Sequence, residues 1–352
     1  MHNSNQTLSS EYMYWVKTQT QGVAFNLANS GLKNYPLSEL PVDFSALTLS
    51  GPGAYGYPPL KAAIAAKCSV TEDCVTTALG TSMANYLAMA ATLEAADEVL
   101  MEYPSYSLLW ETAEYLGAQV KFTSRDLDAI GRAITPNTRL IVLTNLHNPT
   151  CALLSQSTLQ SIGELADKVG ARVLVDEVYL DLLHESAPPS AFHLGPQFIS
   201  TSSLTKVYGL SGLRCGWVLA EPALSRKMLL INDLLGVNNP YLTDQISCIA
   251  FQHLPKIAAW SKALLQQNRH TAYEALAGCP DLLLQTLEVG TVLFPKLEIP
   301  VEPFCQLLRE RYDTIITPGR FFGAPDHIRV ALGGDAAIVR EGYARLREAL
   351  RH

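Results

Sequence analysis

One stretch of the sequence, SSLTKVYGLSGLRCGW at 202–217, sets two cations among glycine, serine and apolar residues. Lys206 and Arg214 lie eight positions apart, and neither aspartate nor glutamate occurs between Ser186 and Ala220. Residues adjacent in the sequence therefore cannot neutralise these two cations, which must face water or an anion from elsewhere in the fold. An amine in an apolar pocket beside a second cation has a lowered pKa, which favours attack on a carbonyl carbon and later proton transfer.

A second stretch, GTSMANYLAM at 80–89, follows the strand-like sequence VTTAL. Gly80, Thr81 and Ser82 would place backbone N–H groups and a hydroxyl at the N-terminus of a helix, where anions, most often phosphate, bind. An ordinary helix cap explains the same residues, and for this motif taken alone it is the more frequent explanation.

Two more strand ends carry an amide and an acid. Asn148 follows RLIVLTN and precedes a proline, which holds the backbone extended and can aim the amide into a crevice. Asp176 ends the apolar run ARVLV, where a carboxylate needs a cation or several donors, and Tyr179 follows three residues later. A plain turn at Asn148 and a structural role for Asp176 are the alternatives. Four such strand ends in order form a set that chance rarely assembles.

The elements that must position these residues alternate between strand and helix from about residue 60 to 220. The predicted strands are DEVLME, AQVKFT, RLIVLTN, ARVLVDE, QFISTSS and CGWVLA, with helices such as SMANYLAMAATLEA and STLQSIGELADKVG between them. Ser157 and Gln160 fit a capping box for the second of these helices. The alternation predicts an α/β fold with a mainly parallel sheet covered by helices on both faces, and ligands collect beyond the carboxyl ends of such strands.

The rest of the chain lacks this alternation. After about residue 240 the helical content rises, and TVLFPKLEI and HIRVALGG are the clear strand candidates, which predicts a smaller α+β domain. We therefore expect an N-terminal arm with part of the small domain at 1–45, a large ligand-binding domain at 46–238 and a small C-terminal domain at 239–352.

The composition limits the class of partner. The 352 residues are 48% hydrophobic and 17% charged, and the net charge of −7 argues against nucleic acid or an anionic membrane and favours a small molecule. The first ten residues lack the features of a signal peptide, and no apolar run reaches the roughly 20 residues of a membrane helix, so we expect a soluble, cytoplasmic protein. The seven cysteines lack a C-x-x-C pair and predict reduced thiols rather than disulfides or a metal site.

Taken together, the motifs resemble those of the class I/II aminotransferases, the aspartate aminotransferase-like enzymes of pyridoxal-phosphate fold type I. The resemblance runs from about Gly53 to Gly333. The family places a serine three residues before its lysine and an arginine eight residues after it, as Ser203, Lys206 and Arg214 do, and GTS, NPT, DEVY and IRVALGG recur in the family's order. The resemblance implies an aminotransferase that depends on pyridoxal 5′-phosphate and forms a homodimer with its active sites at the interface.

The resemblance also implies roles for individual residues. Lys206 would form a Schiff base with the cofactor and act as the catalytic base, and Asp176 would pair with the pyridine nitrogen. Tyr179 would contact the ring's phenolic oxygen, shared with Asn148. The resemblance further implies that Tyr106 stacks on the ring of the cofactor. The residues implied to surround its phosphate are Gly80, Thr81, Ser82, Ser203 and Arg214.

Arg329, in HIRVALGG, matches the arginine that grips the substrate carboxylate, with Gly31 and Asn148 assisting. Arginine suits this role because its planar fork binds both carboxylate oxygens. The matched motifs supply no second arginine for a side-chain carboxylate. Aromatic residues of the arm could instead line an apolar pocket: Tyr12, Tyr14 and Trp15. We therefore expect a neutral or aromatic α-amino acid as donor and a 2-oxo acid as acceptor.

The sequence departs from the family pattern at a few positions. Cys151 replaces the glycine that usually follows NPT, Cys215 stands where an aliphatic residue is common, and Met83 replaces a frequent Glu or Gln. We expect local adjustment rather than loss of the site. Tyr55, in GAYGYPPL, is a candidate to reach the phosphate bound by a neighbouring subunit.

The motifs define the cofactor better than the bond that is broken. A lyase, a cyclase or an oxidase on the same scaffold is therefore an alternative to a transaminase. A regulator that borrows the domain to sense an amine is a third possibility, but the 45 or so residues before the motifs leave no room for a DNA-binding module.

Overall fold

The computed structural model describes residues 9–52 and 55–351. The predicted start of the family resemblance at Gly53 and the first eight residues of the predicted arm lie outside them. The helices are α1 (Glu11–Gln19), α2 (Pro58–Cys68), α3 (Gly80–Thr92), α4 (Ser107–Tyr115), α5 (Leu127–Ala133), α6 (Gln156–Asp167), α7 (Pro222–Asp233), α8 (Tyr241–Gln252), α9 (Leu254–Leu276), α10 (Val301–Tyr312) and α11 (Ala336–Ala349). The strands are β1 (Phe25–Asn26), β2 (Val75–Leu79), β3 (Glu98–Glu102), β4 (Gln119–Thr123), β5 (Thr138–Thr144), β6 (Arg172–Asp176), β7 (Phe198–Ser203), β8 (Cys215–Leu219), β9 (Leu282–Leu283), β10 (Val292–Leu293), β11 (Lys296–Leu297), β12 (Thr314–Ile315), β13 (Thr317–Pro318) and β14 (Ile328–Ala331).

The large sheet has the strand order β2-β8-β7-β6-β5-β3-β4 in the described part of the chain. Its strands are parallel except β8, which pairs antiparallel with β2 and β7. Each strand predicted between residues 75 and 220 is confirmed to within one residue at either end. Because the carboxyl ends of the parallel strands share one edge of the sheet, the polar residues that follow β5, β6 and β7 are brought together.

Both faces of the sheet are covered by helices, as predicted. Strand β5 is apolar over residues 140–143, where alternate side chains belong to opposite layers of the core. Leu140 and Val142 pack in the cluster formed with α3, α4 and α7, whereas Ile141 and Leu143 pack in the cluster formed with α5 and α6. The α/β fold class is therefore confirmed.

Helix α6 begins earlier than the predicted capping box. Its N-cap is Ser155, whose Oγ accepts a hydrogen bond from the Thr158 backbone N–H at 3.0 Å. Ser157 lies inside the helix, so the prediction of a box from Ser157 to Gln160 was wrong. The extended backbone that an N-cap requires occurs at Ser155 (φ −67°, ψ 155°).

The beginning of the chain packs on its C-terminal part. Strand β1 pairs in parallel with β12, and β14 pairs antiparallel with β10 and β13. The predicted strand TVLFPKLEI is divided into β10 and β11, which pair with different neighbours. Pro295 lies between them and cannot donate to a ladder, which explains the interruption. The domain boundaries at 45 and 238 stay predictions.

None of the helices in residues 9–52 and 55–351 combines the length and the apolar character needed to cross a membrane. The expected cytoplasmic location stays a prediction.

Candidate active site

A cavity of about 440 Å³ opens at the carboxyl ends of β5, β6 and β7. Nine of the residues predicted for the site line it: Thr81, Ser82, Tyr106, Asn148, Asp176, Tyr179, Ser203, Lys206 and Arg214. Three others touch this set. Gly80 N–H donates to the Arg214 carbonyl at 2.8 Å, a Cβ at Gly31 would lie 3.4 Å from Lys206 Cδ, and Arg329 Nη1 donates to Asn148 Oδ1 at 3.4 Å. The structure thus brings together every site residue that the sequence predicted.

Lys206 follows β7 and directs its amine into the cavity. Its Nζ donates to Ser30 Oγ at 3.0 Å. Desolvation lowers the pKa of Lys206 to about 8, and the positive charges of Arg329 and Arg214 act in the same direction, while Asp176 opposes them. A substantial fraction of the amine is therefore neutral near pH 8, which is the form that can act as a nucleophile or a base.

Asp176 ends β6 as a buried carboxyl. Its Oδ1 accepts from the Val178 backbone N–H at 3.0 Å, and its Oδ2 accepts from Asn85 Nδ2 at 2.8 Å. Desolvation raises the pKa of Asp176 to about 6, against the effects of these two hydrogen bonds and of Lys206. A protonated ring nitrogen would provide the cation that this carboxylate needs.

Small hydroxyl residues form a cradle at the N-terminus of α3. Ser203 Oγ accepts from Thr81 Oγ1 at 2.9 Å and from the Thr205 backbone N–H at 3.3 Å. Thr205 Oγ1 is buried without a hydrogen-bond partner in the described structure. Such an orphaned donor beside a helix N-terminus suits a phosphate oxygen.

Two glycines allow the backbone to close around this cradle. Gly80 has φ +75°, a conformation that favours glycine, and a Cβ there would collide with the guanidinium of Arg214. A Cβ at Gly216 would collide with the backbone of Gly80. Arg214 is exposed, and its guanidinium donates to backbone carbonyls, at 3.1 Å to that of Leu79. The residues present therefore fit the phosphate group of the expected cofactor.

Arg329 is a buried cation in contact with Tyr12 and Asn148, which line the cavity, and 1% of its surface is exposed. Its Nη2 donates to Tyr12 Oη at 2.7 Å and to the Ala28 carbonyl at 3.1 Å, and the guanidinium lies 4.6 Å above the Phe322 ring. Among the ion pairs of residues 9–52 and 55–351, none includes Arg329. A buried guanidinium without an acid is unfavourable unless an anion reaches it, so the arrangement suits a carboxylate ligand.

Two tyrosines and Asn148 complete the walls. Tyr179 Oη donates to the Ser30 carbonyl at 3.3 Å, and burial raises the pKa of Tyr179. The Asn148 N–H donates to Thr144 Oγ1 at 3.0 Å, which holds the loop after β5 against the sheet. Tyr106 meets Tyr12 edge to face, with ring centroids 5.7 Å apart.

The expectation for the aromatic residues of the arm was correct only in part. Tyr12 lines the cavity together with Met13 and Val16 of α1. Tyr14 is 68% exposed, and Trp15 packs on Phe321 rather than lining the cavity. Residues four apart share one helix face, so Tyr12 and Val16 point inward while Tyr14 does not.

The departures from the family pattern are accommodated locally. Cys151 has φ +60°, the left-handed region where the family's glycine is favoured, and its Sγ lies 3.7 Å from the Val292 carbonyl. Burial raises the pKa of the Cys215 thiol to about 12, so it stays protonated. Tyr55 is half-exposed and its hydroxyl donates to Asp233 of the same chain at 3.3 Å.

The sequence matches the family model for aminotransferase class I and II over residues 43–346, and the chain belongs to this family. It is similar to capreomycidine synthase of Streptomyces vinaceus, with 26% identity over 96% of this chain and 92% of that protein. Arginine–pyruvate transaminase of Pseudomonas aeruginosa is 26% identical over 79% and 75%, and aspartate aminotransferase of Streptomyces avermitilis is 25% identical over 84% and 80%.

Solved structures share the fold. A PLP-dependent aminotransferase from Streptococcus suis superposes with a TM-score of 0.90 at 24% identity, covering 98% of both chains. The PLP-dependent cyclase OrfR superposes with a TM-score of 0.88 at 24% identity, covering 97% of this chain and 96% of its own. With the family match, these findings confirm the predicted fold type I, the enzyme class of PLP-dependent aminotransferases and pyridoxal 5′-phosphate as the cofactor.

Sequence reasoning missed four residues of the site: Asn85, Thr205, Tyr12 as a partner of Arg329, and Ser30. Thr205 lies inside the quoted lysine motif, and its hydroxyl was the available signal. Asn85 is a polar residue among alanine and leucine in α3, which is itself unusual for a buried helix face. Ser30 and Tyr12 carry no comparable signal.

Proposed function

We propose that this chain transfers the amino group of a neutral or aromatic α-amino acid to a 2-oxo acid. The observation that carries the proposal is the guanidinium of Arg329, which has no acidic partner in the described residues and donates hydrogen bonds to Tyr12 and Asn148, two residues that line the cavity holding the Lys206 amine. An α-amino acid bound there would have its carboxylate on Arg329 and its amino end toward Lys206.

The residues present divide into groups with separate tasks. Pyridoxal 5′-phosphate, when bound, supplies a ring that accepts the electrons of the substrate Cα. Lys206 would hold the cofactor covalently and, once freed, move the proton at the substrate Cα. Asp176 would keep a proton on the ring nitrogen, and Tyr179 and Asn148 would orient the ring oxygen. The phosphate would be held by Thr81, Ser82, Ser203, Thr205 and Arg214.

The substrate carboxylate would receive more than one donor. Arg329 offers its fork, and the Tyr12 hydroxyl, which accepts from Nη2, keeps its own proton available to donate. Gly31 lies against Lys206, since the backbone N–H of the next residue, Leu32, donates to the Lys206 carbonyl at 3.2 Å. Helix α1 contributes Tyr12, Met13 and Val16 to the lining of the cavity.

The side-chain pocket supports a neutral donor. Met13, Val16 and Leu108 line it, with Tyr12. The cations that line the cavity in the described residues are Lys206 and Arg214, both assigned to the cofactor. A side-chain carboxylate would therefore lack a partner within this chain, and burying it unpaired is unfavourable.

We predict that leucine, methionine or phenylalanine is a better donor than aspartate. Formation of the 2-oxo acid from single amino acids, with 2-oxoglutarate or pyruvate as acceptor, measures kcat/KM for each donor. A tenfold preference corresponds to about 1.4 kcal/mol in transition-state free energy. A tenfold preference for aspartate would contradict the proposal and would show that a second cation reaches the site.

A second candidate is another reaction of the same cofactor, such as cyclisation, elimination or oxidation of an amino acid. It is favoured by the similarity to capreomycidine synthase, which spans 96% of this chain, whereas the two transaminases above span 79% and 84%. The same incubations distinguish the two functions. Transamination consumes one 2-oxo acid for each amino acid, whereas cyclisation and elimination consume the amino acid without a 2-oxo acid, and oxidation consumes dioxygen in its place.

We propose that the active form is a homodimer. Helix α7 and the residues after it expose Leu230, Leu234 and Leu235, and Leu234 is 85% exposed. Exposed apolar side chains so close together indicate an interface. The arm, in contrast, does not need a partner for its apolar face, because Tyr12 and Trp15 pack on Phe321 of the same chain.

We therefore predict a dimer by light scattering at micromolar concentration. Leu234→Lys should shift the population toward monomer because a charge would be buried at the interface. Leu153→Lys, at a half-exposed leucine elsewhere, is the matched control and should not. A wild-type monomer with full activity would remove the proposal.

A further inference from the structure

The carboxylate of Asp176 is held by a hydrogen-bonded chain that crosses three elements. Asn85 of α3 donates from Nδ2 to Asp176 Oδ2 at 2.8 Å, and Thr201 of β7 donates from Oγ1 to Asn85 Oδ1 at 2.6 Å. All three side chains are buried, and Thr201 is the register partner of Asp176 across β6 and β7. We propose that Asn85 is a positioning residue that fixes the orientation of the Asp176 carboxylate and keeps it ionised.

The chain of hydrogen bonds leaves the amide a single orientation. Asp176 as a carboxylate can only accept, so it requires the NH₂ group of Asn85, and the amide oxygen then faces the Thr201 hydroxyl. The Thr201 hydroxyl therefore donates to this oxygen. The Asn85 side chain thus links the helix that begins at the phosphate cradle to the strand that carries the acid.

The neutrality of the Asn85 amide is as important as its position. The groups that act on Asp176 are the Asn85 amide and the Val178 N–H, the Lys206 amine, which favours the ionised form, and Glu102, which disfavours it. A cation at position 85 would also favour the carboxylate, but it would repel a protonated ring nitrogen. A neutral amide stabilises the ionised acid without that repulsion. This part of the inference rests on the proposed role of Asp176.

The test replaces the amide by an apolar group of similar size. Asn85→Leu removes one of the two hydrogen bonds to the carboxylate, and we expect the pKa of Asp176 to rise by about one unit or more. Thr201→Val removes the outer hydrogen bond and should give a smaller shift in the same direction. Thr76→Val, in β2 of the same sheet, removes a buried hydroxyl contact with Ser225 of α7 and should leave the pKa of Asp176 unchanged.

Carboxyl ¹³C resonances of the full chain, titrated after removal of the cofactor, report Asp176 directly, and Asp176→Asn assigns the resonance. The dissociation constant of pyridoxal 5′-phosphate is the second readout, and we expect it to rise about tenfold in Asn85→Leu, equivalent to one pKa unit. If Asn85→Leu does not fold, Asn85→Ser, whose hydroxyl is too short to reach Asp176, replaces it.

An Asp176 titration that is the same in the Asn85 variant and the wild type overturns the proposal, whatever the activity. The titration does not depend on the reaction catalysed. If the titration is shifted in Asn85→Leu but the wild type fails every transaminase assay, the proposed function is refuted and the role of Asn85 is still supported.

Discussion

Lys206→Ala is expected to lose covalent attachment of the cofactor and to lower kcat by about 10²–10⁴-fold or more, because the same amine serves as nucleophile and as base. Reduction of the wild-type protein with borohydride, followed by proteolysis and mass spectrometry, should place the pyridoxyl group on the peptide that contains Lys206. Its amine is suited to this because burial lowers its pKa to about 8.

Lys296→Ala is a matched control, since Lys296 is a partly exposed lysine that pairs with Glu298. This variant should keep both the label and the activity. A label on Lys61 or Lys296 in the wild type would refute the assignment of Lys206. A Lys206→Ala protein that turns over at the wild-type rate would refute the role as base.

The motifs at strand ends could be predicted because local rules decide them. An apolar strand followed by a glycine and hydroxyl residues, or by Asp176, has little alternative to the edge of a buried sheet. The large sheet followed from the same rule, since residues 140–143 of β5 are all apolar and alternate between two covered faces.

The residues that sequence reasoning missed depend on distant contacts. Asn85 lies 91 positions from Asp176, and Tyr12 lies 317 positions from Arg329. No local pattern indicates which buried amide or phenol will meet which partner. The errors have local causes: the face that α1 turns inward was not defined by its three aromatic residues, and Pro295 divided what looked like one strand.

Asp176→Asn is expected to slow proton exchange at the substrate Cα by orders of magnitude, because an amide cannot hold a positive charge on the ring nitrogen. Exchange of the Cα proton of leucine or phenylalanine with deuterium, followed by NMR, measures this without requiring complete transamination. Asp244→Asn is the matched control, since burial also raises the pKa of Asp244 to about 6 but its carboxyl lies outside the cavity. Exchange at the wild-type rate in Asp176→Asn would exclude the electronic role.

Asp176→Asn is expected to lower activity but to raise the stability of the cofactor-free protein at neutral pH. The two effects separate a role of Asp176 in catalysis from a role in folding. Burial raises the pKa of Asp176 from 3.8 to about 6 in the folded chain without cofactor. Protonated Asp176 therefore contributes to the stability of the folded state. This contribution is fully present below pH 3.8 and is lost as the pH rises through about 6. A shift of this size is worth roughly 3 kcal/mol at most.

Asparagine does not titrate, so the free energy of unfolding of Asp176→Asn relative to the wild type should increase between pH 4.5 and pH 8, when both are measured in urea without cofactor. The comparison between variants matters because Glu177, whose pKa burial raises to about 7, titrates in both proteins. A difference that stays constant with pH would mean that Asp176 is not held as a buried, desolvated acid. An increase together with loss of Cα exchange would mean that the ionised carboxylate destabilises the empty site and is kept there for the cofactor.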